Sequence, residues 1–449
     1  MVAKNKKSKK SKKEEHDLDK LSCLPDSILS YILSFLDTKS AIRTSLLSKR
    51  YKLLWTLTPS LDFVLSETET VYPNSYNDVV PPEHAKDPSI FFFQLYVNRV
   101  LRLREHSNLT SFRLSLYKDV GMELLEKCMD YAAKHKVQDF RIRGYVKNQP
   151  VVLPELLLTS SSLTNLHLHN ATPYSIRLPK SVLLPNLKFL HLKKFQFSGN
   201  NFNGDLFSGC PNLESLVLSR CSIRPRDEVK VLNLNFSNLV NLVIKCWRSP
   251  WICFNEHAIN VNAPKLAFFK YQGHLARVNF NDSLLFLERA CIELCYPTAC
   301  TIVNLSERKQ ELAECFLNML RYMCNVEFLS LSMKTIEVLS ALPDLRERSH
   351  TIFLNLRLIK FTAENKYTEK TLSIKTVMQL LENAATDVLI SDGSKKKKPS
   401  PGYSKVKTNK KDDAKHIAVP VHVMYFLLEN SPSAEFLSVE IPKISPSQV

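Results

Sequence analysis

Residues Leu187-Lys188-Phe189-Leu190-His191-Leu192 and Leu213-Glu214-Ser215-Leu216-Val217-Leu218 carry one pattern, with apolar residues at the first, fourth and sixth positions of a hexad. Working outward, the spacing recurs upstream at Leu109-Phe112-Leu114, Val137-Phe140-Ile142 and Leu163-Leu166-Leu168. Downstream it recurs at Leu239-Leu242-Ile244, at Leu266-Phe269-Tyr271 and, in weakened form, at Leu287-Ala290-Ile292. Val326-Leu329-Leu331 and Phe353-Leu356-Leu358 complete the series. The first six intervals are 28, 26, 24, 26, 26 and 27 residues. One such hexad is weak evidence, but a run at a nearly constant period marks a supersecondary unit that buries its apolar face only by stacking on its neighbours.

The period falls in the leucine-rich-repeat range of about 20–29 residues. The expected fold class is therefore α/β, a solenoid over residues 90–362 with parallel strands on a concave face and helices on the convex one. Along each strand the spaced leucines point inward and the alternating residues point out. The outward set in the first four repeats is Arg113 and Ser115, Arg141 and Arg143, His167 and His169, His191 and Lys193. Seven of these eight are cationic or protonatable and none is acidic. With neighbouring strands about 4.8 Å apart they form one patch, and guanidinium groups match carboxylate and phosphate geometry. This face is expected to take an acidic or phosphorylated segment of a target protein. The competing expectation is a solvated basic face balanced by acids from nearby loops.

Composition narrows the chemistry. The chain has 449 residues, 44% hydrophobic and 23% charged, with only eight glycines. Gly199, Gly204 and Gly209 form the nearest cluster and fit no phosphate-cradling motif, so nucleotide-binding enzymes of the Rossmann and P-loop kinds are excluded. The formal charge of +17 is uneven: Lys4 to Lys13 supply seven lysines and Lys395 to Lys411 eight, leaving +2 for the rest. Like charges at that density resist burial, so both tracts read as solvated segments, either plain tails or import signals. Eleven cysteines lie without a framework, which suits a reduced nuclear or cytoplasmic setting. No CxxC pair or GxSxG elbow is present. His167 and His169 alternate on one strand, a pattern more common among surface residues than metal ligands. No catalytic residue, metal or cofactor is therefore expected. The greasiest stretch, Ile90 to Leu103, is too short and too interrupted to span a bilayer, and reads instead as an amphipathic helix capping the repeats.

Near the N-terminus a compact apolar block runs from Leu21 to Leu61. Pro25 fits the first turn of a helix, followed by Ile28, Leu29, Ile32, Leu33 and Leu36 at helical spacings. Asp37 and Thr38 suit the cap of a second helix through Leu46, and Ser48 that of a third carrying Tyr51, Leu54 and Trp55. Tyr31 and Phe35 widen the first helix's apolar surface beyond the single stripe a helix needs to dock on its own domain. The surplus calls for a partner.

The run Leu24-Pro25-Asp26-Ser27-Ile28-Leu29, Ile32-Leu33-Ser34-Phe35-Leu36, Thr38-Lys39-Ser40-Ala41, Leu47-Ser48-Lys49-Arg50-Tyr51 and Leu54-Trp55 resembles the F-box of plant F-box/leucine-rich-repeat proteins over about forty residues. It departs from the pattern in Asp37, where proline is usual, and Tyr51, where tryptophan is usual. The resemblance implies a non-catalytic substrate receptor of a Skp–cullin–F-box ubiquitin ligase, docked on a Skp-type adaptor and through it on cullin. Leu24, Pro25, Ile28, Leu29, Ile32, Leu33, Leu36, Leu46, Leu47 and Trp55 would form the docking surface, shared with the module's own core. Two alternatives stay open: an F-box receptor for a small molecule or polyphosphate, and a nuclear polyanion-binding scaffold. Specific nucleic-acid binding is not expected, because only Tyr403 accompanies the lysine tracts.

The expected organisation is a lysine-rich tail over 1–20, a three-helix F-box over 21–61, a linker over 62–89, the solenoid, and a C-terminal region over 363–449 resembling the FBD type. In that last region Val377 to Asn383 and Leu427 to Asn430 each read as an apolar helix with an asparagine stop. They precede short strands at Val388-Leu389-Ile390 and Phe436 to Val439, and a lysine-rich insertion over 391–411 separates the two units.

Overall fold

The structure, a computed structural model, describes residues 21, 23–67, 87–104, 109–144, 151–170, 176–177, 182–197, 207–224, 230–247, 257–274, 277–295, 305–342, 344–345, 347, 353–362, 367–382, 387–391 and 416–442. The expected tail over 1–20 and the lysine-rich insertion, apart from Ser391, lie outside these residues.

Every hexad ends in a strand of one thirteen-stranded sheet. Its strands run parallel from Ser60–Leu65 through Ser111–Leu116, Asp139–Gly144, Asn165–Asn170, Phe189–Lys193, Ser215–Ser219, Asn241–Trp247, Phe268–Gly273, Arg289–Leu294, Phe328–Ser332 and Leu358–Thr362 to Phe436–Pro442. The fourth hexad position is in register throughout, with Phe112, Phe140, Leu166, Leu190, Leu216, Leu242, Phe269, Ala290 and Leu329 facing one another in turn. All nine are buried. The period is kept because a slip of one residue would turn each leucine out of the core.

Asparagines just before the hexads tie each turn to the last. Asn186, Asn212 and Asn238 donate to the carbonyls of Ser161, Pro185 and Pro211 at 2.7, 2.8 and 3.1 Å. The tightest point between turns is Gly209, which bridges to Leu183 and accepts from the Leu184 amide at 3.0 Å. A Cβ there would lie 2.0 Å from the Val182 carbonyl oxygen. Because backbone rather than a flexible side chain blocks it, Gly209→Ala is expected to cost about 3 kcal/mol, read as a lowered midpoint with unchanged slope in urea unfolding.

Four expectations shift. First, Ser60–Leu65 is a sheet strand, so residues 62–65 of the expected linker belong to the array. Leu61, Phe63 and Leu65 alternate inward as in the hexads. Second, the tenth hexad is displaced by three residues: Leu356, Ile359 and Phe361 point inward, while Leu358 faces out opposite Phe328. Third, the return segments are helical only in part, at Met122–Lys134, Glu155–Leu158, Leu305–Leu320 and Met333–Leu339. Among the other described return residues are short parallel ribbons, the largest pairing Val231–Asn235, Ala258–Asn262 and Arg277–Phe280. The alternation of buried Leu232 and Leu234, then Ile259 and Val261, has period two and selects strand over helix. Fourth, Asp387–Ser391 does not join the sheet but pairs antiparallel with His416–Pro420. The other C-terminal unit behaves as a repeat. The helix Val421–Glu429 stops at buried Asn430, whose side chain donates to the Phe426 carbonyl at 2.7 Å, and leads to the twelfth parallel strand. Tyr367–Ser373 then closes that edge antiparallel.

At the N-terminus, α1 (Asp26–Leu33) follows Pro25, and α2 (Thr38–Arg43) is capped by Asp37, which accepts from the Ser40 amide at 2.8 Å. The expected third helix is instead a chain of 3-10 turns, with Thr44–Leu46 ending the second helix early and Arg50–Lys52 and Leu54–Leu57 following. Thr44 and Thr56 hydroxyls donate to carbonyls three residues back, at 2.6 and 2.7 Å, and such local bonds compete with the α-helical ladder. A further helix, α3 (Pro88–Leu103), covers the first strands through buried Phe92, Phe93, Val97, Val100 and Leu101.

Candidate docking surfaces

Helix α1 has two apolar sides with opposite fates. Leu29 and Leu33, one turn apart, are 2% and 4% exposed and pack with Tyr51 and Leu54 in a small core of their own. Leu24 is half-buried against that core. Trp55 and Ala41 leave this cluster for the main one, joining Leu61, Val97 and Leu101. The expected docking roles of Leu29, Leu33 and Trp55 therefore give way to structural ones, because helical periodicity alone does not say which of two apolar sides faces inward.

The other side is uncovered. Ile28, Ile32 and Leu36 are exposed, as are Pro25, Leu46 at 87% and Leu47. They are joined by Tyr31, by Phe35 at 72%, and by Leu53 and Leu57. The Tyr31 and Phe35 rings meet edge to face at 5.0 Å. Leu53 and Leu57 went unrecognised in the sequence because the third segment was read as an α-helix; 3-10 turns place them outward while Leu54 and Trp55 point in. An apolar surface of this composition on a folded domain marks an interface.

The module is fixed to the repeats by Arg104, at the end of α3. Its guanidinium is fully buried and donates to the Trp55 carbonyl at 2.8 Å, to the Thr58 hydroxyl at 2.7 Å and to the Thr58 carbonyl. The Tyr131 hydroxyl donates to the Arg104 carbonyl at 2.8 Å. This anchor is a functional residue that the sequence did not reveal, since an arginine at a helix end reads as solvated.

On the sheet's outer face all seven expected residues fall into two rows. One runs Asp62, Arg113, Arg141, His167, His191 and the other Ser115, Arg143, His169, Lys193, Ser219, Lys245, each neighbour in register. Their charge differs from expectation. Arg113 pairs with Asp62 at 3.5 Å, and Arg141 forms a two-pronged pair with Asp139 at 2.7 and 3.0 Å. Burial, then Arg141, pushes the His167 imidazole down to about 4. Burial, then Lys193 and Arg143, takes His169 to about 3, and burial with Lys193 and Lys245 takes His191 to about 4. The three histidines are neutral at pH 7, so the patch is less cationic than its residue types suggested.

These shifts carry a sign. Imidazoles held below their ordinary value near 6.5 add stability that is fully present above that pH. It is lost as pH falls below 6.5 and is gone below the folded values. Lowering the pH from 7 to 5 should therefore cost on the order of 1 kcal/mol per histidine, discounted for solvent screening at these half-buried positions. Replacing His167, His169 and His191 together by glutamine should flatten the melting temperature against pH; an unchanged slope would contradict the assignment.

Among the described residues no group of three or more His, Cys, Asp or Glu could hold a metal ion. Burial lifts the thiols of Cys128 and Cys221 to about 12 and that of Cys210 to about 11, which leaves them unreactive packing groups.

Comparison with known proteins matches both parts of the chain. Residues 21–62 match the F-box domain family, and residues 125–280 match the family described as FBD-associated F-box protein At5g56370, LRR repeats. The chain is 29% identical over 328 residues to the F-box/LRR-repeat protein At3g59210 of Arabidopsis thaliana, covering 72% of this chain and 64% of that protein. It is 30% identical over 296 residues to the putative F-box/LRR-repeat protein At4g15060 of the same plant, covering 63% of each. With the F-box/FBD/LRR-repeat protein At5g56420, also from Arabidopsis thaliana, it shares 31% identity over 231 residues, 50% of this chain and 48% of that one. The chain thus spans less than two thirds of these relatives' length. With an F-box match over residues 21–62 and a leucine-rich-repeat match over 125–280, the chain is similar in both parts to these plant F-box/leucine-rich-repeat proteins.

Proposed function

We propose that this chain is the substrate-recognition subunit of a Skp–cullin–F-box ubiquitin ligase, acting in the nucleus or cytoplasm. A Skp-type adaptor would cover the exposed side of α1 and the following 3-10 turns, with cullin recruited through it. The observation that carries this reading is the uncovered apolar surface of Ile28, Tyr31, Ile32, Phe35, Leu36, Leu46 and Leu47 on a module whose own core is already closed by Leu29, Leu33, Tyr51 and Leu54. The protein's part is non-catalytic. It holds a target beside a charged ubiquitin carrier on a fixed frame, which raises the effective concentration of the acceptor lysine. The joint supports the reading, because Trp55 packs in the main core and Arg104 bonds the Trp55 carbonyl, tying the F-box to the sheet. Co-purification of full-length chain with a recombinant Skp-type adaptor and cullin tests it. A stoichiometric complex is expected, and a chain that elutes alone at micromolar concentrations would refute it.

A further inference from the structure

The cations of the sheet face divide into two groups. Arg113 and Arg141 are consumed by Asp62 and Asp139. Further along, Arg143, His169, Lys193, Ser219 and Lys245 stand opposite one another on five successive strands. Lys194 and Arg220 follow directly, both in the left-handed backbone region at φ 61° and 55°. Their amides donate to the carbonyls of Ser219 and Lys245 at 2.8 and 2.7 Å, continuing the ladder. The same turn recurs at Cys246, φ 51°, in the next repeat, so it is a feature of the repeat that sets Lys194 and Arg220 at the row's edge.

Among the described residues no carboxylate pairs with Arg143, Lys193, Arg220 or Lys245. Burial first, and then the like charges of Arg220, Arg143 and Lys194, lower the pKa of Lys193. The Arg143 guanidinium is steadied 3.5 Å above the Tyr117 ring, while its Nε and His169 Nε2 are buried without a hydrogen-bond partner. The Ser219 hydroxyl meets His191 Nε2 at 3.0 Å. The row thus combines unneutralised cations with neutral polar groups between them, an arrangement that is self-repelling when empty and relieved by a compact anion of charge −2.

We propose that the row Arg143–His169–Lys193–Ser219–Lys245, with Lys194 and Arg220 at its edge, binds a phosphomonoester carried on an extended peptide segment. This rests on the reading that the sheet face captures the target, and names the target's chemistry. Five strands span about 19 Å, the reach of about six extended residues, so one segment can lie across the row. Among the described residues the row has no Phe, Tyr or Trp free to stack a base, as single-stranded nucleic acid favours.

The test uses the full chain and an immobilised degenerate peptide pool with a fixed central phosphoserine, against the same pool with serine. At least tenfold greater retention on the phosphorylated pool is expected. Lys193→Gln with Lys245→Gln should lose that excess at least tenfold, while Arg113→Gln with Arg141→Gln should change it less than twofold. Equal retention on both pools, or equal losses in both variant pairs, would overturn the proposal. So would tighter binding of an oligonucleotide or of inorganic tripolyphosphate than of the phosphorylated pool. Adaptor binding is measured on the same samples: it should be untouched by the Lys193 and Lys245 changes, so a failed F-box reading and a failed phosphate site give different results.

Discussion

Replacing Ile32, Leu46 and Leu47 together by serine is expected to abolish adaptor binding while leaving the melting temperature within about two degrees of the parent. Leu46 and Leu47 are largely exposed in the free chain and Ile32 is 40% exposed, so the folded state loses little packing when they shrink. Each buried leucine or isoleucine at an interface contributes about 1.5–3 kcal/mol, and three together correspond to a loss of roughly a thousandfold or more in affinity. The contrasting change is Leu29→Ala with Leu33→Ala. These side chains sit inside the module's small core, where each truncation costs about 2–5 kcal/mol. That variant should also lose the adaptor, but through unfolding of residues 26–58, seen as lost helical signal and protease sensitivity. Equal stability in the two variants would show that the assignment of the two sides of α1 is reversed.

The second large effect is expected at Arg104. Substitution by methionine keeps the buried stem and removes the hydrogen bonds to Trp55 and Thr58. Bonds from a charged donor are worth about 1.5–3 kcal/mol each, and their loss strands buried carbonyls. Part of this is offset, because the guanidinium no longer has to be held away from water, a cost evident in its lowered pKa. A net loss of about 3 kcal/mol is expected, concentrated at the joint. Amide exchange should speed up over residues 26–58 and at the end of α3, while the strands between Ser111 and Leu294 keep their protection. Uniform acceleration along the whole chain would mean that Arg104 supports the sheet at large rather than the attachment of the F-box.

The array was legible because stacking requires periodicity: ten hexads announced ten strands, including the weak Leu287-Ala290-Ile292, whose alanine occupies a fully buried rung. The tenth was misplaced by three residues, since Phe353, Leu356, Leu358, Ile359 and Phe361 offer two overlapping frames and only pairing with Phe328–Ser332 selects between them. The F-box was legible from its ordered motif, but not the division of labour within it, which depends on where the chain turns after Arg43. The basic face was legible in identity and not in charge. Residue types announced seven cations, whereas Asp62, on a strand that reads as linker in the sequence, and Asp139, two residues before Arg141 on its own strand, neutralise two, and burial silences the three histidines. Lys194 and Arg220 were not legible because they lie two residues beyond the hexad, where a left-handed turn brings them beside Lys193.

The central claim, that the exposed side of α1 and the 3-10 turns is half of an interface, is tested most directly by hydrogen–deuterium exchange on the full chain with and without a Skp-type adaptor. Protection is predicted to appear over residues 28–36 and 44–57, with none over the strands from Asn165 to Gly273. An exchange pattern unchanged by saturating adaptor, or protection confined to the sheet, would contradict it.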